Sequence, residues 1–303
     1  MRVAVIDLGT NTFHLLIADI KNKGQFETLK RIRKYVYIGE EGVDILGEKP
    51  LQRAFETLTL FKQTATEFEV DKIIAFGTAA LRTARNSNDF ITKVREEIGI
   101  EIQLISGEKE ADLIYLGTKK AIPPTSENFL IMDIGGGSVE FIIANDTQKL
   151  WAASFPIGVS VLFNEFHHAD PISTNEINDL LSFVNHQLTT LYQALSTFPA
   201  HILVGASGTF DVLSNIMGST ISNYPHAEII DLTHFPNFYD IAVKSSLAER
   251  LQLKEVPKER AKLISVALIL VKLILEKAKI HKLIVSAYAM KEGILSEVAD
   301  KSI

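Results

Sequence analysis

A short stretch of the chain occurs twice, and this repeat constrains the fold more than any other feature of the sequence. Residues 7–19 (DLGTNTFHLLIAD) align without a gap with residues 133–145 (DIGGGSVEFIIAN). Each copy follows an apolar run, begins with an aspartate and continues through small polar or glycine residues into a second apolar run. This pattern is typical of a buried strand, a tight turn and a second strand. The duplication therefore predicts two similarly built domains that face each other.

The rest of the chain alternates between strand and helix patterns, which predicts an α/β fold. Two adjacent prolines among small polar residues mark the best domain boundary, near residue 124. We predict a first domain over residues 1–124, joined by a C-terminal helix of about 290–303, and a second domain over residues 125–289. Strand patterns lie at 27–38, 73–76, 102–105, 129–133, 140–144, 149–155, 201–205 and 282–286, and helical patterns at 51–68, 88–98, 108–120, 159–166, 175–195 and 241–278, before a terminal helix.

The composition is that of a globular chain, with 47% hydrophobic and 22% charged residues among 303. Cysteine is absent, which excludes a disulfide scaffold, a thiolate nucleophile and a cysteine-ligated metal site. The most apolar run, Leu263 to Leu275, is interrupted by Lys272 and is too short to span a bilayer. No signal peptide is visible. We therefore expect a cytoplasmic protein with no membrane partner.

The charge balance bears on possible partners. The net charge is −6, from 31 Lys and Arg against 37 Asp and Glu. An acidic chain repels phosphate at long range, so no nucleic-acid partner is expected. The excess of acid lies within residues 125–303, and the run Lys30, Arg31, Arg33 and Lys34 gives the first part a basic wall. The alternative interpretation of this run is a solvated strand face.

Four turns of small residues have the composition of phosphate-binding sites. Residues 10–12 and 135–138 lie at strand ends, whereas residues 205–209 and 77–82 follow a strand and open a helix. Such turns expose backbone N–H groups and hydroxyls to phosphate oxygens, and a helix N-terminus adds partial positive charge. A glycine-rich hairpin turn also forms without any ligand, so that interpretation stays open for each turn alone. The predicted phosphate-binding residues are Thr10, Asn11, Thr12, Thr78, Arg82, Gly135, Gly136, Gly137, Ser138, Ser207, Gly208 and Thr209.

Carboxylates accompany these turns. Asp7 and Asp133 lie where a strand passes into a turn, and Glu140 follows on the next strand. Hard oxygen ligands beside phosphate indicate Mg²⁺, held by Asp133, Glu140 and Asp7. Glu110 lies early in a predicted helix, where a carboxylate can orient or deprotonate water. The structural alternatives are a helix-terminal charge for Glu110 and a strand-face carboxylate for Glu140.

Two histidine positions are candidates for other chemistry. The sequence His167-His168 with Asp170 has the residue types of a metal cluster, but it lies among turn residues before Pro171, so a solvated loop is expected. His14 alternates with apolar neighbours, so it is expected to order its loop rather than react.

Six motifs occur in order along nearly the whole chain, and as a set they resemble the exopolyphosphatase and guanosine pentaphosphate phosphatase (Ppx/GppA) family. This family lies within the sugar kinase, Hsp70 and actin superfamily. The chain ends where longer members continue into a helical domain, so we expect the short, two-domain form. The motifs are residues 7–14 (DLGTNTFH), 77–86 (GTAALRTARN), 105–111 (ISGEKEA), 133–140 (DIGGGSVE), 205–209 (GASGT) and 291–293 (KEG).

The resemblance implies two duplicated actin-like ATPase (ribonuclease H-like) domains with an active site in the interdomain cleft. It implies a Mg²⁺-dependent hydrolase of phosphoanhydride bonds that removes terminal phosphate from inorganic polyphosphate, from guanosine pentaphosphate, or from both. Its catalytic glutamates map onto Glu110 and Glu140, and its metal-side aspartate maps onto Asp133. A homodimer is the family expectation.

Two other functions remain open at this point. A small-molecule kinase of the same superfamily would use the cleft for ATP and transfer phosphate to an acceptor hydroxyl. A non-catalytic alarmone sensor would bind a guanosine polyphosphate in the same loops without turnover.

Overall fold

The computed structural model describes residues 1–21, 25–220 and 224–301, and within them it has two β-sheets with flanking helices. The chain divides into two compact units, each with its own sheet and hydrophobic core. Unit 1 comprises residues 1–117, 135–137 and the segment from Met290 onward, and unit 2 comprises residues 118–134 and 138–289. The predicted α/β fold is confirmed. No helix among the described residues is long and apolar enough to cross a membrane.

Unit 1 has a five-stranded sheet in the order β3-β2-β1-β4-β5. Strand β1 is antiparallel to β2 and parallel to β4, and β4 is parallel to β5. The carboxyl ends of β1, β4 and β5 therefore meet at one edge of the sheet. The elements are β1 (Arg2–Leu8), β2 (Thr12–Ile20), β3 (Phe26–Tyr35), α1 (Glu48–Glu67), β4 (Lys72–Gly77), α2 (Ala79–Thr83), α3 (Ser87–Ile98), β5 (Ile102–Leu104) and α4 (Gly107–Ala121).

Unit 2 has a seven-stranded sheet in the order β10-β11-β12-β9-β6-β7-β8, with β6, β9 and β12 parallel to one another. Its central strands are buried along nearly their whole length, in agreement with their largely apolar sequence, and Asp133 of β6 is partly exposed. The elements are β6 (Phe129–Ile134), β7 (Val139–Ala144), β8 (Lys149–Phe155), α5 (Val159–Phe166), α6 (Thr174–Gln187), α7 (Thr189–Thr197), β9 (Ile202–Ala206), α8 (Gly208–Met217), β10 (Ser219–Thr220), β11 (Ala227–Ile230), α9 (Phe235–Lys244), α10 (Leu247–Arg250), α11 (Ile264–Lys277) and β12 (Lys282–Ser286). Helix α12 (Met290–Lys301) follows and groups with unit 1.

The two copies of the repeat form the predicted strand-turn-strand hairpins with the same register. Asp7 lies opposite His14 across β1 and β2, and Asp133 lies opposite Glu140 across β6 and β7. Because paired residues in an antiparallel ladder point to the same face, each aspartate shares a face with the residue seven positions later.

Two predicted helical segments are wrong in detail. The segment 175–195 is two helices that meet at Leu188, where the Thr189 hydroxyl donates to the His186 carbonyl. The zone 241–278 contains α9, α10 and α11 separated by turns. A new helix starts at α10 because Ser246 and Glu249 form a capping box. Strands β10 and β11 were not predicted, because they are short and their pairing depends on residues distant in the sequence.

Candidate active site

The predicted phosphate turns of unit 1 lie together at the carboxyl edge of its sheet. Leu8 at the end of β1 pairs with Gly77 at the end of β4. The backbone N–H and the hydroxyl of Thr78 both donate to the Leu8 carbonyl oxygen, each at 3.3 Å. These bonds place the turn of residues 10–12 beside the start of α2. Thr10 and Thr78 are buried, and Asn11 and Thr12 are partly exposed.

Residues 135–137 also group with unit 1. A Cβ at Gly136 would lie 2.7 Å from the Asn11 side chain, and one at Gly137 would lie 2.8 Å from the Thr10 hydroxyl. A side chain at either position would force its neighbours to move, so glycine suits this approach of the backbone. The structure therefore brings the two predicted glycine and threonine turns together.

The candidate base Glu110 lies in the first turn of α4 and is 8% exposed. The Arg82 guanidinium donates to Glu110 Oε2 at 3.1 Å and, through the same nitrogen, to the Ile105 carbonyl at 2.9 Å. Because the ion pair is largely shielded from water, it fixes the direction of the carboxylate. Arg82, which was predicted to bind phosphate, is thus also the cation that orients Glu110.

Helix α12 packs against this edge of unit 1 through charged contacts. Lys291 Nζ lies 3.9 Å from Asp7 Oδ2, and Lys109 Nζ lies 2.6 Å from Glu297 Oε1. Asp7 was predicted as a metal ligand, and the Lys291 ammonium partly neutralises its charge. The contact is also very close at Gly293, where a Cβ would lie 1.8 Å from the Leu113 carbonyl oxygen of α4. Helix α4, which holds Glu110, is therefore set directly against α12.

In unit 2 the carboxylate of Glu140 is 2% exposed and points to the same face as Asp133. Its Oε1 accepts hydrogen bonds from the Ser138 hydroxyl at 2.6 Å and the Ser154 hydroxyl at 2.7 Å. Two hydroxyl donors give the buried carboxylate hydrogen-bond partners and hold its position. Ser154 was not predicted, because its contribution depends on the register in which Glu140 pairs with it across β7 and β8.

The turn at Ser207 opens α8. Ser207 has φ 70° and ψ 177°, a backbone conformation that favours glycine, and its hydroxyl donates to the Ile134 carbonyl at 3.1 Å. Strain of this kind persists where the surrounding structure imposes it and is concentrated at functional sites. Gly208 and Thr209 are buried beside it.

A cation that the sequence analysis missed lies on this turn. A Cβ at Gly208 would lie 1.6 Å from a terminal nitrogen of Arg260, so the guanidinium occupies the space that a side chain would fill. Arg260 lies 52 positions after Gly208. Only the fold brings the two together, and no local pattern marks the arginine.

The donor set limits the kind of metal site that the chain can form. Within the described ranges, no three histidine, aspartate or glutamate side chains are arranged to hold a metal ion. Asp133 and Glu140 share a face of the sheet at the turn of residues 135–137. Mg²⁺ commonly binds through one or two carboxylates together with substrate phosphates and water, and this pair fits that mode.

The histidines singled out in the sequence lie in different surroundings. His14 lies on β2 opposite Asp7 and is partly buried. His167 is only 7% exposed, so the prediction of a solvated loop is wrong for it, although His168 is exposed. The side chain of His167 packs edge-on against Phe163, at a ring-centroid distance of 4.5 Å. Its apolar partner, one turn earlier on α5, explains the burial.

Comparison with known proteins finds relatives that are named as pyrophosphatases. It is 27% identical over 300 residues to the guanosine-5'-triphosphate,3'-diphosphate pyrophosphatase of Photobacterium profundum, covering 98% of this chain and 59% of that protein. It is 29% identical over 298 residues to the protein of the same name from Vibrio cholerae, covering 97% and 59%. The chain therefore spans about three fifths of the length of these relatives.

Solved structures match over the full chain. The structure of an exopolyphosphatase from Cytophaga hutchinsonii is similar to this chain with a TM-score of 0.94 and a sequence identity of 34%. The match covers 99% of this chain and 98% of the exopolyphosphatase chain. The Ppx/GppA family member of Aquifex aeolicus has a TM-score of 0.81 and 26% identity and covers 100% and 98%. Residues 16–302 match the Ppx/GppA phosphatase family. With this match spanning nearly the whole sequence, the chain belongs to the Ppx/GppA phosphatase family.

Proposed function

We propose that this chain is a Mg²⁺-dependent phosphohydrolase that removes terminal phosphate from inorganic polyphosphate, from guanosine pentaphosphate, or from both. The observation that carries the proposal is the carboxylate pair Asp133 and Glu140, opposite each other at a glycine-rich turn, with Glu140 held by two serine hydroxyls. The names of the relatives, a guanosine polyphosphate pyrophosphatase and an exopolyphosphatase, support the substrate class.

Binding of the phosphate chain rests on the small-residue turns and two arginines. Backbone N–H groups and hydroxyls of residues 10–12, 135–138 and 207–209 donate to phosphate oxygens. The guanidinium groups of Arg82 and Arg260 add charge-assisted hydrogen bonds. Arg82 lies in one predicted phosphate turn, and Arg260 lies against another. Each guanidinium is therefore placed to bind the negatively charged phosphates of the substrate.

In the hydrolytic step, Glu110 orients a water molecule and accepts its proton. The water oxygen forms a bond to the terminal phosphorus, and the bond from phosphorus to the bridging oxygen breaks. The bond's electron pair leaves with the shortened phosphate chain. Mg²⁺, when bound by Asp133 and Glu140 with the substrate, supplies positive charge that stabilises the charge developing on the phosphoryl oxygens.

The experiment that tests this proposal is phosphate release by the purified protein with Mg²⁺, comparing long polyphosphate, tripolyphosphate, guanosine pentaphosphate and ATP. Glu110→Gln is expected to lower the rate by about 10²–10⁴-fold, the usual cost of losing a general base. Glu108→Gln is the matched control, because Glu108 is an exposed carboxylate in the same helical turn. It is expected to retain the wild-type rate.

Each outcome selects one function. Phosphate release that is lost in Glu110→Gln and kept in Glu108→Gln supports the hydrolase. The compound from which phosphate is released is then the substrate. Transfer from ATP to an acceptor without free phosphate would support the kinase and contradict the proposal. Tight binding of a guanosine polyphosphate with no turnover would support the sensor.

A further inference from the structure

The last of the six sequence motifs, residues 291–293 (KEG), has no part in the proposed reaction, and it lies at the beginning of α12. Its three residues contact three different elements of unit 1. Lys291 lies against β1, Glu292 pairs with β3, and Gly293 packs on α4. The motif therefore fixes one end of α12 on the sheet and on a neighbouring helix at the same time.

Glu292 holds this turn of α12 in place. Its carboxylate is fully buried and accepts a hydrogen bond from the Arg31 guanidinium at 2.5 Å. Arg31 lies on β3 opposite Leu16 of β2, so its own backbone is fixed by the sheet. A buried carboxylate that loses its cation is strongly destabilising, so the pair resists displacement of the helix. The backbone of Lys291, the preceding residue, is therefore held in one position.

The Lys291 ammonium has hydrogen-bond donors that no described residue accepts. Its side chain is only 16% exposed, and its one polar contact among the described residues is with Asp7, whose Oδ2 lies 3.9 Å from Nζ. This distance is longer than the roughly 2.7–3.2 Å of an N–H···O hydrogen bond, so the attraction between the two groups is electrostatic. An ammonium has three donors, and donors with little access to water normally have partners. A ligand with oxygen acceptors would supply them.

The ammonium lies at the edge of unit 1 that carries the predicted phosphate turns. Asp7 precedes Leu8, whose carbonyl oxygen accepts hydrogen bonds from Thr78, and the turn of residues 9–12 follows Leu8 directly. The Asp7 side chain is also 16% exposed, so the ion pair reaches the surface here. Because Lys291 offsets the charge of Asp7, the carboxylate does not by itself exclude an anion from this edge.

We propose that Lys291 is a substrate-binding residue, whose ammonium donates a hydrogen bond to a phosphoryl oxygen held at the turn of residues 9–12 while Asp7 keeps it at the edge of the sheet. The inference rests on the proposed function and deepens it, because it adds a cation from α12 to the predicted phosphate ligands. The alternative role of Lys291 is to neutralise Asp7 in the folded chain and nothing more. The two roles differ in their consequences once Asp7 loses its charge.

The test is calorimetric titration of the purified protein with tripolyphosphate in EDTA, where the proposed Mg²⁺-dependent reaction cannot proceed. Lys291→Met removes the charge and is expected to weaken binding about 10- to 100-fold, the usual cost of losing a hydrogen bond to a charged group. Lys291→Arg restores a cation and is expected to recover most of the affinity. Lys72→Met is the matched control, because Lys72 is an exposed lysine at the start of β4, at the opposite edge of the same sheet. It is expected to bind as the wild type does.

The comparison that distinguishes the two roles uses Asp7→Asn as the background. Asp7→Asn alone is expected not to weaken tripolyphosphate, because it removes a negative charge beside the bound anion. If Lys291 binds phosphate, adding Lys291→Met still weakens binding by about tenfold or more. If Lys291 acts only on Asp7, the added substitution has no effect, and that result would overturn the proposal. Thermal unfolding shows which variants are folded, and Lys291→Gln takes the place of Lys291→Met if the latter is not.

The titration also separates this inference from the proposed function, because it needs no turnover. A protein that binds tripolyphosphate through Lys291 but releases no phosphate with Mg²⁺ contradicts the hydrolase and supports the inference. A protein that releases phosphate, and in which Lys291→Met binds tripolyphosphate as tightly as the wild type, supports the hydrolase and overturns the inference. A wild-type protein that does not bind tripolyphosphate in EDTA would overturn the inference as well.

Discussion

The carboxylate of Glu140 lies directly across the β6–β7 ladder from Asp133, and the same register in unit 1 places His14 across from Asp7. The duplicated hairpin therefore carries two acids in one copy and an acid and an imidazole in the other. In the first copy, Lys291 lies 3.9 Å from Asp7 and offsets its charge. The second copy carries the two carboxylates that the proposed function assigns to Mg²⁺.

The two serine hydroxyls on Glu140 lead to a graded prediction. Glu140→Gln is expected to lower the rate of phosphate release by at least about 100-fold, because the amide loses the negative charge. Ser154→Ala removes one of two donors and is expected to cost about tenfold, because a hydrogen bond to a charged group contributes about 1.5 kcal/mol at the low end of its range and each 1.4 kcal/mol or so is tenfold in rate. Steady-state kinetics of both variants measure this order. Ser196→Ala, at an exposed serine of α7, is the control, and equal losses in Ser154→Ala and Ser196→Ala would contradict the assignment.

The close packing of α12 on α4 predicts that Gly293→Ala disturbs the candidate base from a distance. The new methyl would lie 1.8 Å from the Leu113 carbonyl oxygen, and backbone atoms cannot rotate away as a side chain does. We expect a loss of about 3 kcal/mol in the free energy of unfolding and a lower kcat, because α4 carries Glu110. Urea denaturation and phosphate release measure the two effects.

Gly47→Ala is the matched control for that substitution. A Cβ at Gly47 would contact the side chain of Glu41, and the nearest Glu41 atoms belong to its carboxylate. This flexible end of the side chain can move away. Its expected cost is well below that of Gly293→Ala. Similar losses of stability in the two variants would mean that the contact with Leu113 is not the cause.

Arg260 is predicted to bind substrate phosphate through its position on the Ser207 turn. Arg260→Ala is expected to raise KM about tenfold with a smaller effect on kcat, because the lost interaction is with a charged group. Gly208→Ala is expected to act similarly, since its methyl would take the place of the guanidinium. If both substitutions remove the same interaction, the KM of the double variant Gly208→Ala/Arg260→Ala is no higher than that of either single variant. A double-mutant cycle measures this. Additive losses would show that the two residues act separately, and Lys258→Ala, at an exposed lysine, is the control.

Local sequence patterns predicted the contacts in which both residues belong to the same short motif. The pairing of Asp133 with Glu140 is one such part, because the turn between their strands is short and the side-chain period of a strand is two. The position of Glu110 in a first helical turn is another, since it depends only on where α4 begins.

Contacts between distant segments could not be predicted in this way. Arg31 forms an ion pair at 2.5 Å with Glu292, a fully buried carboxylate 261 positions away. The sequence around either residue does not indicate that the two segments are in contact. Arg260 on the Ser207 turn and Ser154 on Glu140 have the same origin. The burial of His167 has a local cause, its contact with Phe163, which the turn residues that follow it in the sequence do not indicate.

The cap of α6 predicts a loss of stability in acid. Four donors bind the Glu176 carboxylate: the Ser173 N–H and hydroxyl and the N–H groups of His168 and Ala169. The N–H and then the hydroxyl of Ser173 are the main causes that lower the pKa of Glu176 to about 2. The carboxylate therefore contributes stability above its unfolded pKa of about 4.5, and this contribution is lost as the pH falls towards 2. Glu176→Gln is expected to cost about 1 kcal/mol at pH 7 and clearly less at pH 2, where part of the carboxylate is protonated in the folded chain, as measured by chemical denaturation. A cost at pH 2 as large as that at pH 7 would contradict this explanation.

His167 predicts an acid effect of a different origin. Neither of its ring nitrogens has a hydrogen-bond partner among the residues that the structure describes, although the side chain is buried. Burial first, and then the charge of Arg250, lower its pKa, against the opposing effect of Asp170 and Glu176. The unfolded chain therefore binds a proton below pH 6.5 that the folded chain still excludes, so stability falls as the pH drops through that range.

His167→Phe removes both unpaired nitrogens and keeps a flat ring against Phe163. We expect it to raise the free energy of unfolding by about 1 kcal/mol at pH 7.5, because a buried polar group without a partner is lost. The gain over the wild type is expected to grow between pH 6.5 and pH 5.5, by at most about 1.4 kcal/mol per pH unit. Denaturation at three pH values measures this slope. His168→Phe, at the exposed neighbour, is expected to show no such slope, and a constant gain for His167→Phe would mean that the folded chain protonates His167 as readily as the unfolded chain does.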